Sequence, residues 1–239
     1  MTSDVLIGRR GDVLDITLNR TASGNLITAD IGNAIIAALA EVGSDLKLIR
    51  LQSNGADFCR GRESPAIDRA TARAREFREK IAEPALALYA ALINARAPIL
   101  GVVQGQASGV GCALAALCDL SVAGESATFQ IPEMNHGIPP TLVMSVMVGR
   151  VPLNAISQLV LTREPIPASR ARELGIIGEL APDAGLVAKA DAIEARLLES
   201  PALSLQAVKE YARLAPGMDQ AGKISLAANL ISTVLSSPS

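Results

Sequence analysis

One histidine, two tyrosines, three phenylalanines and no tryptophan among 239 residues leave little room for several common chemistries. A lone imidazole cannot build a Cys/His zinc site, so no metal is expected. Cysteine is scarce too: Cys59, Cys112 and Cys118 are an odd number without metal-type spacing. They read as reduced, mostly buried thiols, and only a helix start stands near Cys59 and Cys112 to activate them, so nucleophilic roles are set aside. Neither sign of charge dominates, with 22 Lys and Arg against 24 Asp and Glu and a net charge of −2. That removes the electrostatic case for a nucleic-acid partner. No uncharged apolar run reaches membrane-spanning length, and Met1 to Asp12 lacks the apolar segment of a signal peptide. A cytoplasmic protein is therefore expected. With 2% aromatics, its core must be Ala, Leu, Ile and Val. A mean hydropathy of +0.32 points to further burial between subunits.

What the chain does have is concentrated between Pro98 and Pro140. An apolar run, Ile99 to Val103, has strand length; small residues follow at Gly105, Ala107, Ser108, Gly109 and Gly111. Cys112 to Cys118 then carries no glycine, proline or charge. This spells a strand, a glycine turn and a short helix apolar all round, hence buried. The first turn of such a helix points free N–H groups at whatever lies over the glycines, an oxyanion site made from backbone. Familiar glycine-rich loops fail on spacing. Gly109-Val-Gly-Cys-Ala-Leu114 lacks the third glycine of a dinucleotide fingerprint. A phosphate loop would need Gly-Lys-Ser/Thr, and Ser108 sits one place out of frame for a hydrolase elbow.

Elsewhere, Val13 to Leu18 and Leu46 to Leu51 read as strands. Thr28 caps a predicted helix with apolar positions at Ile31, Ala34, Ile35, Ala38, Leu39 and Val42. Ile67 to Asn94 reads as helix with a break or kink at Pro84, and its charges between Asp68 and Lys80 read as a solvated face. After strand candidates Leu120 to Val122 and Thr128 to Ile131, helical patterns continue to Leu235. Strands alternating with helices, then helices alone, predict a parallel α/β arrangement with an α-helical end.

Gly105-Gln-Ala-Ser-Gly-Val-Gly-Cys-Ala-Leu-Ala-Ala-Leu-Cys-Asp119, followed by Phe129-Gln-Ile-Pro-Glu133 and Gly137-Ile-Pro139, resembles the enoyl-CoA hydratase/isomerase (crotonase) superfamily. Asp57-Phe-Cys-Arg-Gly-Arg-Glu63 resembles that family's first oxyanion-loop motif, and Leu18-Asn-Arg20 with Asn25-Leu26 its N-terminal signature. Ala168 to Leu180 resembles the family helix ending in Gly-Leu-Val, so the match runs from about Val5 to about Tyr211. The resemblance implies a spiral of ββα units over residues 1–182 and a C-terminal helical trimerisation region over 183–239. It also implies an acyl-CoA substrate, with coenzyme A as part of the substrate and no separate cofactor, and a homotrimer or dimer of trimers.

By motif position the resemblance makes the N–H groups of Arg62 and Val110 the oxyanion hole for a thioester enolate. The family usually has glycine where Val110 stands; valine is restrained from positive φ, so this peptide must be ordinary in backbone. Family hydratases have two glutamates, and this chain has Ala113 at the first position and Glu133 at the second. Glu133 is the expected acid/base. A single base can carry a proton between two carbons, so double-bond isomerisation is preferred over hydration. The same scaffold also admits hydrolysis or decarboxylation of a CoA ester, or acyl-CoA binding without catalysis. His136 or Asn135 could supply a second polar contact, although a lone histidine is more often structural. Gly109 and Arg20 are placed at the CoA and substrate site by their motifs. Arg60 or Arg62 either meets CoA phosphate or an anionic acyl group, or reaches solvent. Glu63 is assigned to holding the loop, and the acyl pocket to Ile67–Tyr89 and Met144/Met147.

Overall fold

A computed structural model describes residues 4–237, so the start of the Met1 to Asp12 stretch lies outside it. Strands β1 (Val5–Arg10), β2 (Val13–Leu18), β3 (Leu48–Ser53), β4 (Ile99–Val103), β6 (Leu120–Gly124) and β9 (Glu179–Ala181) form one sheet in the order β1-β2-β3-β4-β6-β9. β1 runs antiparallel to β2, and every later pairing is parallel. A second, three-stranded sheet joins β5 (Gln106–Ser108), β7 (Thr128–Gln130) and β8 (Ile166–Pro167). β4 is buried at all five positions, as its continuous apolar run requires for a central parallel strand.

The helices are α1 (Ala29–Ala40), α2 (Ala74–Phe77), α3 (Glu83–Asn94), α4 (Val110–Leu117), α5 (Thr141–Met147), α6 (Leu153–Thr162), α7 (Ala168–Glu173), α8 (Leu186–Leu198), α9 (Ala202–Leu214) and α10 (Gln220–Ser236). Thr28 caps α1 as its sequence predicts, its hydroxyl accepting from the Ile31 N–H at 3.2 Å. α4 is the buried helix the apolar run implied, with every residue from Gly111 to Leu117 in the core. The expected mixed α/β architecture with a helical C-terminal region is the one observed.

One expectation is corrected: no helix spans Ile67 to Asn94 with a break at Pro84. Residues 67–73 are turn and loop, α2 begins at Ala74, and a π-turn over Arg78–Ala82 carries the helical path into α3. Pro84 falls in the first turn of α3, where a missing N–H costs least. The carbonyls this loosens are met from outside the helix. The Arg62 guanidinium donates through Nη2 to Lys80 O at 3.1 Å and through Nη1 to Ile81 O. The solvated-face reading suits the charges here, since Arg75 pairs with Glu79, Lys80 with Glu76 and Arg78 with Glu83.

The C-terminal helices are tied to the sheet by charge. Arg50 on β3 binds Asp191 and Glu194 of α8 at 2.6 and 3.1 Å. Lys209 of α9, buried, donates to Asp119 Oδ2 at 2.9 Å and to Ala97 O at 3.1 Å, while the same Asp119 oxygen accepts from Ile99 N at 2.8 Å. Asp119 thus holds the start of β4, the end of α4 and α9 at one point. Removing one partner of a buried pair strands the other charge. Lys209→Met should therefore lower unfolding free energy by about 3 kcal/mol in urea titration, with the m-value unchanged.

Candidate active site

The site is assembled from two loops joined largely through backbone, with Asp57 Oδ1 also accepting from Gln106 N at 3.0 Å. Phe58 N donates to Gln104 O, Cys59 N to Gln106 O and Ser108 N to Cys59 O, at 2.8, 3.0 and 2.9 Å. The contact is closest at Gly111, where a Cβ would lie 2.0 Å from the Cys59 carbonyl oxygen. Only glycine fits there. Gly105 is constrained likewise, with Ala56 O 2.0 Å from where its Cβ would stand.

Arg62 and Val110 both line a cleft of about 820 Å³. Among the described residues no backbone carbonyl accepts from either N–H. Gly61 before Arg62 takes φ +131° and Gly109 before Val110 takes φ +52°. Val110 itself keeps negative φ as the first residue of α4, so its side chain costs the turn nothing.

Glu133 opens a 3₁₀ turn, Glu133–His136, after Pro132. Its carboxyl lies against the glycine turn: a Cβ on Gly109 would meet Oε1 at 2.6 Å. Oε2 is buried without a hydrogen-bond partner. Burial pushes this carboxyl above its ordinary value, although its own backbone N–H and nearby His136 pull the other way. Perturbed carboxyls in clefts are the ones that exchange protons at work. Ala113 is wholly buried in α4 and does not line the cleft, so no second carboxyl comes from that position.

The remaining candidates separate. His136 stands exposed at the cleft rim, where its carbonyl accepts from Arg69 at 3.4 Å; Asn135 is exposed and outside the cleft lining. Arg60 is exposed at the mouth and lies over Gly24, with Asp57 3.9 Å away. Arg62 is half-buried and its guanidinium is spent on the Lys80 and Ile81 carbonyls. Arg20 pairs with Glu63 at 2.7 Å and lies outside the cleft lining, and Glu63 holds the loop through this pair. Of the segments expected to line an acyl pocket, Ile67, Phe77, Ile81, Ala85 and Tyr89 do line the cleft, whereas Met144 and Met147 do not: Met147 is fully buried in the core, and Leu142 and Val143 of the same helix line the cleft in their place. All three cysteines are free and buried, with thiols pushed up to about 12, chiefly by desolvation. Among the described residues no three His, Cys, Asp or Glu side chains are placed to hold a metal ion, and no helix is long and apolar enough to cross a membrane.

Sequence reasoning placed Tyr89 at the end of the segment lining the pocket but singled out nothing about its hydroxyl. It sits on α3 at helical spacing, where an aromatic reads as core, yet it also lines the cleft and its hydroxyl is buried without a partner. No local signal separates those two readings.

A mostly parallel sheet with a helical C-terminal region is the crotonase class of fold, and it brings the Arg62 and Val110 loops and the half-buried Glu133 to one cleft. The match of the enoyl-CoA hydratase/isomerase family model to residues 8–237 shows that the chain belongs to that family. The chain is similar to 2,3-dehydroadipyl-CoA hydratase of Escherichia coli (strain K12), at 28% identity over 217 residues, 88% of this chain and 82% of that protein. It is also similar to enoyl-CoA hydratase EchA19 of Mycobacterium tuberculosis, 29% identical over 86% of this chain and 78% of that one. In fold it matches the crystal structure of a Mycobacterium smegmatis enoyl-CoA hydratase with TM-score 0.92 at 22% identity, covering 99% and 93% of the two chains. A Thermobifida fusca protein crystallised in complex with CoA matches with TM-score 0.86 at 24% identity, covering 97% and 93%.

Gly109→Ala would force a side chain into positive φ and into the Glu133 carboxyl. A glycine turn displaced in this way, with the Val110 N–H and the Glu133 carboxyl displaced beside it, should cost about 100-fold in kcat/KM on an acyl-CoA substrate while circular dichroism stays unchanged.

Proposed function

We propose that the protein transforms an acyl-CoA thioester through an enolate, with the Arg62 and Val110 N–H groups holding the oxygen and Glu133 moving the proton. The observation that carries this is the half-buried Glu133 carboxyl, unpartnered at Oε2, set against the glycine turn that precedes Val110. In the reading favoured here the reaction is double-bond isomerisation. Glu133 takes a proton from the α-carbon of a 3-enoyl thioester, the electron pair shifts onto the carbonyl oxygen, and the same glutamate returns the proton to the γ-carbon. One carboxyl suffices, which suits the alanine at 113. No cofactor enters beyond the coenzyme A that the substrate brings, and exposed Arg60 at the mouth is placed to meet its phosphates. A second reading, hydration, is favoured by the names of the similar proteins.

The test is turnover of crotonyl-CoA and of a 3-enoyl-CoA by wild type and Glu133→Gln. Isomerisation should fall at least about 1,000-fold in the variant, and efficient hydration of crotonyl-CoA would select the second reading. As base, Glu133 must be ionised, and burial raises its pKa above 4.5. Wild-type kcat/KM should therefore rise with pH along an acidic limb centred above that value, and Glu133→Gln should lack the limb.

The oligomer is part of the same proposal. No residue of α10 is buried, and Ile224, Ile231 and Leu235 are left exposed on it beside Val208 of α9. Subunit contacts through these helices would cover that surface in a homotrimer or dimer of trimers. Ile224→Asp combined with Ile231→Asp should convert the wild-type oligomer to smaller species in sedimentation velocity.

A further inference from the structure

Asn25 is one of two described non-glycine residues with positive φ, at +59°, and it is 1% exposed. Glycine would hold this turn without steric cost. The asparagine also leaves its own Oδ1 buried without a partner. Against both penalties stands one thing the side chain does: Nδ2 donates to Asn54 O at 2.9 Å and to Asp57 O at 2.8 Å. Those carbonyls lead directly into Phe58 and Cys59, whose N–H groups pair with Gln104 and Gln106 just ahead of Val110. On its other side Asn25 begins the segment that orients Arg62. Arg60 N donates to Gly24 O at 2.9 Å, Ile27 N to Gly61 O at 3.0 Å and Glu63 N to Ile27 O at 3.0 Å. In a planar trans peptide the C=O and the N–H point opposite ways. Holding the Gly61 carbonyl on Ile27 therefore turns the Arg62 N–H away from that segment.

We infer that Asn25 is a positioning residue for the reaction: its side-chain amide locks the segment that aims the Arg62 N–H to the loop frame that carries the Val110 N–H, so that both donors converge on one thioester oxygen. Asn25 lies outside the cleft lining and touches no substrate. Its effect passes through main chain at Asn54 and Asp57. Closing the turn does not need the side chain, because Asn25 N already donates to Arg20 O at 3.0 Å. Oxyanion donors act by being in place before the charge develops, so a small displacement removes polarisation while leaving most contacts with the ligand intact. The inference rests on the reading of Arg62 and Val110 as the two donors, and adds what keeps them in register.

The experiment reads carbonyl polarisation by absorption. 4-(Dimethylamino)cinnamoyl-CoA absorbs at longer wavelength when donors draw electron density onto its thioester oxygen. It is titrated into full-length Glu133→Gln protein, where proton transfer is suppressed, with and without Asn25→Gly or Asn25→Asp. The parent should show the red shift. Asn25→Gly keeps the turn and loses both donors, so the shift should fall by at least about half. Affinity for the probe should stay within about 3-fold, since the lost interaction is not a binding contact. In Asn25→Asp the introduced carboxyl can donate only when protonated. Its shift should be small at neutral pH and recover as the pH is lowered, while the parent shows no such recovery. A general weakening of the fold would not recover on acidification, so this arm carries the test should Asn25→Gly fail to fold. A full shift in folded Asn25→Gly or in Asn25→Asp at neutral pH, or a shift lost only together with probe binding, overturns the inference while the oxyanion reading stands. A parent that binds the probe without any shift overturns the oxyanion reading and the inference with it, and no binding at all overturns the acyl-CoA reading.

Discussion

Two loops from different crossovers are zipped backbone to backbone across 58–59 and 104–108, and the arrangement of the cleft follows from that contact. Its tightest point is Gly111 against the Cys59 carbonyl, a separation that admits no Cβ. The contact fixes where α4 begins, hence where the Val110 N–H points, and it fixes the Arg60–Arg62 turn on the other side. Val110 and Arg62 contribute through main chain, and the conformations that need glycine fall on Gly109 and Gly61, one residue before each.

The Arg62 side chain serves a different element from its amide. Pro84 and the π-turn leave carbonyls of Lys80 and Ile81 without helical donors, and Arg62 supplies them from across the cleft. A planar guanidinium, always charged and rich in donors, suits a pair of adjacent carbonyls better than a lysine would. The wall that carries Ile81, Ala85 and Tyr89 is therefore braced by the same residue whose N–H faces the cleft. The Arg60–Arg62 loop and this wall of the cleft are thus tied together, and the Arg62 side chain is not free to reach a phosphate.

Much of this was legible beforehand, for reasons that can be named. The strand, glycine turn and apolar helix at 99–118 are written in local composition. Thr28 as cap and the helix it starts follow from spacing and a hydroxyl. Glu133 stood out through the motif around it. What escaped depends on distant partners. β1 has one buried position and no alternation, β8 is two residues long, and β5 and β9 are three each, so none imposes a period. Pro84 reads as a breaker unless one knows that Arg62, twenty-two places earlier, donates to the carbonyls before it. Nothing in the helical pattern around Lys209 names a partner for it, and only the fold brings Asp119 to it. Tyr89 is the hardest case, since its spacing marks it as core and nothing local reveals that its hydroxyl is buried without a partner.

Position 113 shows how the fold and the chemistry constrain each other. Ala113 sits in the most apolar helix of the chain, flanked by buried Cys112 and Leu114. A carboxyl introduced there would need partners, and Arg62 is committed to main-chain carbonyls while Arg20 is committed to Glu63. An unpaired buried carboxylate protonates or destabilises the fold. Glu133 avoids that outcome by being only half-buried, with its own N–H and the nearby His136 offsetting part of the desolvation. Two such carboxyls in one cleft would also repel each other, raising one of them further. With alanine at 113 that conflict never arises, and Glu133 is left as the one carboxyl set against the glycine turn.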